Sequence, residues 1–185
     1  ATDYSKNFIN NLNHPFGIWN KAFNSQISSQ SKFILFVLLS IGERILLSDF
    51  KPAVIHFFST AKENHPFQFN IFDLKVYLNE LEDSFIRFEI TSKRNHFVDF
   101  QNPSIKDFLL NIVREDKELI IQLLDSVFFF SQLIYIINYL IGSYKNDIQL
   151  YGLIKAVILN RFDTLNNYNS LFSSGSEFEN KMHDS

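Results

Sequence analysis

A mainly helical chain built around a winged-helix domain is the predicted fold, and three observations predict it. Apolar residues recur at helical spacing in three short stretches: Lys32–Ile41, Asp49–Lys62 and a segment opening at Asp73. The stretch FIRFEITSKRNHFVDFQ then alternates apolar and polar side chains on either side of a Ser92-Lys93-Arg94-Asn95 turn, as a β-hairpin does. Three short helices followed by a hairpin is the element order of a winged helix, in which the third helix and the wing pack around one small core. With 185 residues, such a chain can bury roughly 70% of its unfolded surface, and its 22 phenylalanines predict an interior rich in aromatic rings.

Taken in order, Asn13-His14-Pro15-Phe16 reads as a turn, because proline pushes the preceding residue out of the helical region. A helix is predicted from Gly17 to Gln26, with Ile18, Trp19, Ala22 and Phe23 on one side. The tetrapeptide recurs at Asn64-His65-Pro66-Phe67 without similarity around it, so it is not a structural repeat. Ser29 or Ser31 is the expected cap of Lys32–Ile41, whose run FILFVLLSI is apolar nearly all round and therefore central; Gly42 ends it. Ser48 is the expected cap of the next helix, where Pro52 falls among the early amides that lack helical partners. Asp73 is the expected cap of the third, turning Leu74, Tyr77, Leu78 and Leu81 inward and Lys75, Glu80, Glu82 and Asp83 to water. In the hairpin Ile86, Phe88 and Ile90 alternate with Arg87 and Glu89, and His96, Val98 and Phe100 with Phe97 and Asp99.

The stretch FVDFQNPSIKDFLLNIV fuses the second strand to a helix with almost no linker. Pro103 ends the strand, since it lacks an amide donor and holds φ near −65°. Ser104 is the expected cap of a helix from Ile105, with Asp107 completing a capping-box-like pair at the positive helix start. Ile105, Phe108, Leu109 and Ile112 form its inner face. Read without further context, this is a stiff strand-to-helix junction. Beyond it, one long helix is predicted over Asp116–Tyr144 and a shorter one over Asp147–Phe162, separated at Gly142-Ser143; the tail after Asn166 is Ser-, Asn- and acid-rich, and its last dozen residues are expected to fray.

Composition excludes some function classes and disfavours others. The net charge of −3 is made of interspersed acids and bases, which leaves no electrostatic footprint for nucleic acid or an anionic membrane. The absence of cysteine removes disulfides, thiolate chemistry and Cys-based zinc sites, and fits a reducing, cytoplasmic compartment. The apolar run Leu119–Ile141 is interrupted by Gln122, Asp125, Ser126, Ser131, Gln132 and Asn138, which makes it a buried helix and not a span of about 20 apolar residues. His14, His56, His65, His96 and His183 lack metal-ligand spacing, and the pairs Glu80/Asp83 and Glu115/Asp116 fall on solvated faces or helix starts, so no metal site and no catalytic residue is expected. No G-x-x-x-x-G-K-[ST] occurs, and five glycines supply no phosphate-cradling loop. Met182 is the only methionine, and the chain is read as a segment of a longer polypeptide.

FQNPSIKDFLLNIV resembles the F-x-N-P-S-I-x-D-F-L signature that closes the winged-helix part of a bacterial group of novel STAND-class P-loop NTPases. NHPFGIWNKAFNSQISSQSKFILFVLLSIG is similar to the segment joining the ATPase helical lid to the winged helix in that group, and LIIQLLDSVFFFSQLIYI to the helix that follows, so that the likeness covers about residues 11–140. It implies a helical linker over 1–30, a winged-helix domain over 31–113 and a helical extension over 114–185. It further implies a non-catalytic, regulatory role in coupling conformational change within a multidomain NTPase, in anti-phage defence. The Walker motifs would lie N-terminal to Ala1, with ATP or ADP and magnesium bound there and no cofactor in this segment. The implied partners are the NTPase core and sensor domains of the same polypeptide, with homo-oligomers retained as an option and no membrane. The corner is similar, more remotely, to the F-x-H-x-x-x-x-E-F pattern of NACHT-type STAND proteins: Phe100, Asp107 and Phe108 match, while Asn102 stands in the place of the nucleotide-sensing histidine. Asparagine carries no charge, so a phosphate bond of roughly 1.5–3 kcal/mol would become one of about 0.5–1.5 kcal/mol.

Two other classes remain. A DNA-binding winged helix would use Lys93 and Arg94 at the wing tip and Lys75 on the third helix, against repulsion from Glu80, Glu82 and Asp83. A helical scaffold or oligomerisation module would use the phenylalanines around Phe128–Phe130.

Overall fold

The computed structural model describes residues 15–61, 69–144, 146–161 and 165. Within them the chain is mainly helical, with one small three-stranded antiparallel sheet. The expectations for Asn13-His14, Asn64–Phe67 and the tail after Asn166 lie outside the described residues.

Helix α1, Pro15–Ser25, begins with proline at its first position, where the missing amide has no helical partner to lose. Helix α2, Ser29–Ile41, is capped by Ser28, whose side chain accepts from the Ser31 amide, and not by Ser29 or Ser31. It is buried without interruption from Ile34 to Ile41, as its all-round apolar sequence requires. Gly42 ends it in the left-handed region with φ 86°. A two-residue strand, β1 (Ile45–Leu46), leads directly into α3, Leu47–Ala61. This helix starts two residues before the predicted Asp49, so Ser48 is inside it and Pro52 lies beyond the first turn, where its missing amide removes one internal bond. Phe50, Val54, Phe57 and Phe58 are all buried along it.

Asp73 makes no capping bond. Asn70 instead accepts from the Phe72 amide and opens a short 3₁₀ turn, Ile71–Asp73, which runs into α4, Leu74–Leu81. The hairpin follows as β2 (Ile86–Ile90) and β3 (His96–Phe100), in the register Ile86↔Phe100, Phe88↔Val98, Ile90↔His96. Its turn is closed between Thr91 and Asn95 with Arg94 at φ 60°. The sheet order is β1-β3-β2, so the hairpin's second strand is central. Phe97, expected outward with Asp99, is buried, and the Arg44 guanidinium covers its ring at 5.0 Å.

Beyond the corner lie α5 (Pro103–Glu115), α6 (Lys117–Asp125), α7 (Phe130–Tyr135), a π-helical turn Ile136–Leu140, a 3₁₀ turn Ile141–Tyr144 and α8 (Ile148–Arg161). The single long helix predicted over Asp116–Tyr144 is therefore broken between Ser126 and Phe129, for two polar reasons. Ser126 Oγ bonds back to the Gln122 carbonyl at 2.7 Å, which competes with the helical ladder. The carboxamide oxygen of Gln132 accepts from the Phe128 and Phe129 amides, both at 3.0 Å, while its nitrogen donates to Ser40 Oγ on α2 at 2.9 Å. Phe128 and Phe129 are drawn into this break, and of the three phenylalanines only Phe130 is exposed. One apolar core runs from Phe23 to Val157 and joins α1, the sheet-bearing part and the later helices.

Candidate functional site

The corner between β3 and α5 gathers most of the residues singled out by sequence. Pairing ends at Phe100, and the Gln101 amide turns to the Phe85 carbonyl at 2.9 Å. Asn102 is extended and its Oδ1 accepts from the Ser104 amide at 3.0 Å and the Ile105 amide at 3.3 Å. The helix therefore begins one residue after Asn102, with Pro103 at its first position. The predicted cap, Ser104, sits inside the first turn, because the Asn carboxamide one residue before the proline reaches both free amides first. Asp107 takes no part in capping; it is exposed on the other side of α5, lining a groove with Lys106, Tyr135 and Tyr139.

Ser104 has a different task. Its hydroxyl donates to Asn102 Oδ1 and its Oγ accepts from the Trp19 indole Nε1 at 3.0 Å. The cap is thus extended by one polar link to the leading helix. Apolar contacts reinforce it: Phe23 meets Phe108 at 5.5 Å and Phe36 at 5.8 Å in edge-on arrangements, and Trp19 lies 5.8 Å from Phe85. Trp19 and Phe23 were legible as the inner face of a helix, but nothing local marked Ser104 as the partner of Trp19.

Two neighbouring arrangements fix the surroundings of the corner. Glu80, expected to face water, turns back to the start of α2 and accepts from the Ser28 amide at 2.9 Å, from Ser28 Oγ at 2.7 Å and from Ser31 Oγ. Burial pushes its pKa up, but the bonds from Ser31 and Ser28 together outweigh this and hold the carboxyl below its ordinary range. On the far side Lys106 Nζ donates to the Gly42 carbonyl at the end of α2 and lies 5.2 Å from the centre of the Tyr135 ring. Burial, with help from Tyr139 and Asp107 and against Arg114, pushes the Tyr135 hydroxyl up to about 12.

Lys75, Lys93 and Arg94 are all exposed, on α4 and at the hairpin turn, away from the corner's bonds. Among the described residues no group of three or more His, Asp or Glu side chains is placed to hold a metal ion, and no helix is long and apolar enough to cross a membrane. As for a nucleotide, Asn102 Oδ1 is committed to the helix start, which leaves the amide Nδ2, without a partner among the described residues, as the group able to donate to a phosphate oxygen. No protein-family model, no curated protein and no solved structure matches this chain.

Proposed function

We propose that this chain is a conformational-coupling segment of a multidomain STAND-type NTPase, in which a helical linker, a winged-helix domain and a helical extension move as one body. The observation that carries the reading is the Trp19–Ser104–Asn102 chain of hydrogen bonds, which ties the leading helix to the strand-to-helix corner. Packed elements of this kind shift as units and do not deform smoothly, so a displacement applied at α1 reaches α5 and the helices beyond it. The order α2, β1, α3, α4, β2, β3 with sheet order β1-β3-β2 supports the winged-helix description. Catalysis is assigned to the nucleotide-binding part of the polypeptide, whose ADP would meet this segment at Asn102 Nδ2.

The test is made in the full-length polypeptide. A Walker A lysine upstream of Ala1 is expected, and Asn102→Asp, which keeps a capping oxygen but removes the donor and adds negative charge, is expected to weaken ADP binding at least threefold without loss of fold. Unchanged ADP affinity ends the role of Asn102, and an upstream sequence without a P-loop ends the NTPase reading.

A DNA-binding reading comes second. It is favoured by one observation: Glu80 is held at the start of α2, so one of the acids expected to repel a duplex is withdrawn from the exposed face that carries Lys75. A salt-dependent mobility shift abolished by Lys93→Ala/Arg94→Ala supports it; no binding at low salt removes it.

A further inference from the structure

We infer that α8 is a releasable strap, fastened to α6 by the ion pair between Lys117 and Asp147, whose opening frees α8 while the rest of the fold stays closed. Lys117 is the first residue of α6, where the positive helix start disfavours a cation. Its Nζ lies 2.5 Å from Asp147 Oδ2, immediately before α8. The other carboxylate oxygen, Oδ1, accepts from the Leu150 amide at 3.0 Å, and the Asp147 carbonyl accepts from the Tyr151 amide at 3.1 Å. One side chain therefore both starts α8 and ties it to α6. The bond from Lys117, with those from the Leu150 and Gln149 amides, holds the Asp147 carboxyl below its ordinary range.

Helix α8 has little else to hold it. Among its described side chains Leu150, Ile154 and Val157 are buried, whereas α2 is buried without interruption from Ile34 to Ile41. Gly152 stands in the middle of the helix, and a Cβ there would meet nothing within 4 Å, so the glycine lowers helix stability and gains no contact. Ile148, Ile154, Val157 and Ile158 are β-branched, which lowers it further. Among the described elements α8 packs chiefly on α6. Few buried apolar side chains and a weak intrinsic helix are the marks of a unit that opens before the whole.

What precedes α8 sets the point of opening. The turns Ile136–Leu140 and Ile141–Tyr144 are anchored, because Ile136, Leu140 and Ile141 are buried and Arg114 Nε donates to the Tyr139 carbonyl at 2.9 Å. An opening therefore starts at Asp147 and takes α8 alone. Lys117 and Asp147 keep 31% and 23% of their side chains exposed, so dissolved ions reach the pair and weaken it. Release exposes Leu150, Ile154 and Val157 and uncovers the part of α6 beneath them. Use of the strap as a switch rests on the coupling reading proposed above, in which α8 moves with the body only while the pair is closed, whereas the strap itself stands on α6 and α8 alone.

Amide hydrogen exchange of the 185-residue chain at neutral pH, followed by mass spectrometry, makes the test. In the native chain the amides of Gly152–Val157 are expected to be protected about tenfold less than those of α2. Asp147→Asn keeps a capping oxygen and removes the charge, and Lys117→Gln removes the partner. Each is expected to lower α8 protection about threefold, as the loss of a partly exposed ion pair would, with the double variant no lower than either and with α2 and α5 unchanged. Lys117→Arg, which keeps the charge, is expected to stay near native protection, and high salt to lower α8 protection in the native chain but not in the double variant. Native α8 as protected as α2, no loss in either single variant, or equal losses in α2, α5 and α8 overturns the inference, the last because the opening would then be global. An upstream sequence without a P-loop retires the NTPase reading and leaves the strap standing, and uniform exchange retires the strap without touching the P-loop test.

Discussion

The indole of Trp19 donates to Ser104 Oγ at 3.0 Å across 85 positions of the chain. One hydroxyl serves as acceptor for the leading helix and as donor to the cap of α5, so the stability of the corner and the position of α1 depend on the same atom.

Ser104→Ala removes both bonds and leaves the half-buried indole N–H unpaired, a loss of about 1–3 kcal/mol. Because Trp19 is the only tryptophan, its fluorescence reports the site directly. Urea titration is expected to show the lower stability together with a changed native emission, and Ser104→Thr, which keeps the hydroxyl, is expected to restore most of both. Equal behaviour of the Ala and Thr variants would remove the hydrogen-bond explanation.

Asn102→Ala is expected to cost about 0.5–2 kcal/mol, the value of an N-cap, while Asn102→Asp stays within about 0.5 kcal/mol of the native chain at neutral pH because a carboxylate also caps a helix start. Chemical denaturation of the pair measures this, and an Ala variant as stable as the native chain would show that Pro103 alone sets the corner.

Gly42 has φ 86°, and a Cβ built there would lie 2.3 Å from Cδ2 and 2.5 Å from Cε2 of the Tyr135 ring, well inside van der Waals contact. Gly42→Ala therefore meets both backbone strain and overlap, and is expected to destabilise by more than about 1 kcal/mol. Combining it with Tyr135→Ala should recover the steric part and leave the strain, so a double-mutant cycle is expected to show coupling of at least about 0.5 kcal/mol. Strict additivity would contradict the packing described.

Glu80 supplies the pH dependence. Its folded-state pKa is depressed, so its contribution to stability is present above the ordinary carboxylate pKa and is lost as pH falls through the lower folded value. Melting temperatures of the native chain and of Glu80→Gln are expected to differ at neutral pH and to converge in acid. A constant difference across that range would assign the effect to packing instead of charge.

Gln132 and Ser40 are both buried, and the side chain of Gln132 serves the two amides at the α6–α7 break as well as α2. Gln132→Leu removes the acceptor used by the part-buried Phe128 amide and the buried Phe129 amide, at about 1–3 kcal/mol for a buried hydrogen bond lost in this way, and Gln132→Glu adds a buried charge. Both are expected to lower stability well beyond Ser40→Ala, measured by denaturation; a Leu variant near native stability would mean that the break is held by other contacts.

The features readable from residue order are those decided over a few positions. Apolar residues spaced as a helix place α2 at the centre, alternation marks a hairpin between Ile86 and Phe100, and Asn102-Pro103 marks where the strand ends and a helix starts. Even so, Asn102 and Ser104 are equally good capping residues by composition, and choosing between them needed the backbone geometry, extended at Asn102 and helical at Ser104.

Features set by distant partners could not be read this way. Strand β1 is two residues long and exists only because Ile45 and Leu46 find β3. Glu80 looks solvated on its own helix until Ser28 and Ser31 arrive from 52 and 49 positions away. The apolar periodicity of Leu119–Ile141 favours one unbroken helix, and only the bonds from Gln132 to the backbone at the break and to Ser40, 92 positions distant, reward interrupting it. Local preferences differ by less than about 1 kcal/mol per residue, whereas leaving a buried polar group unpaired costs more, so wherever the two conflict the long-range partner sets the outcome.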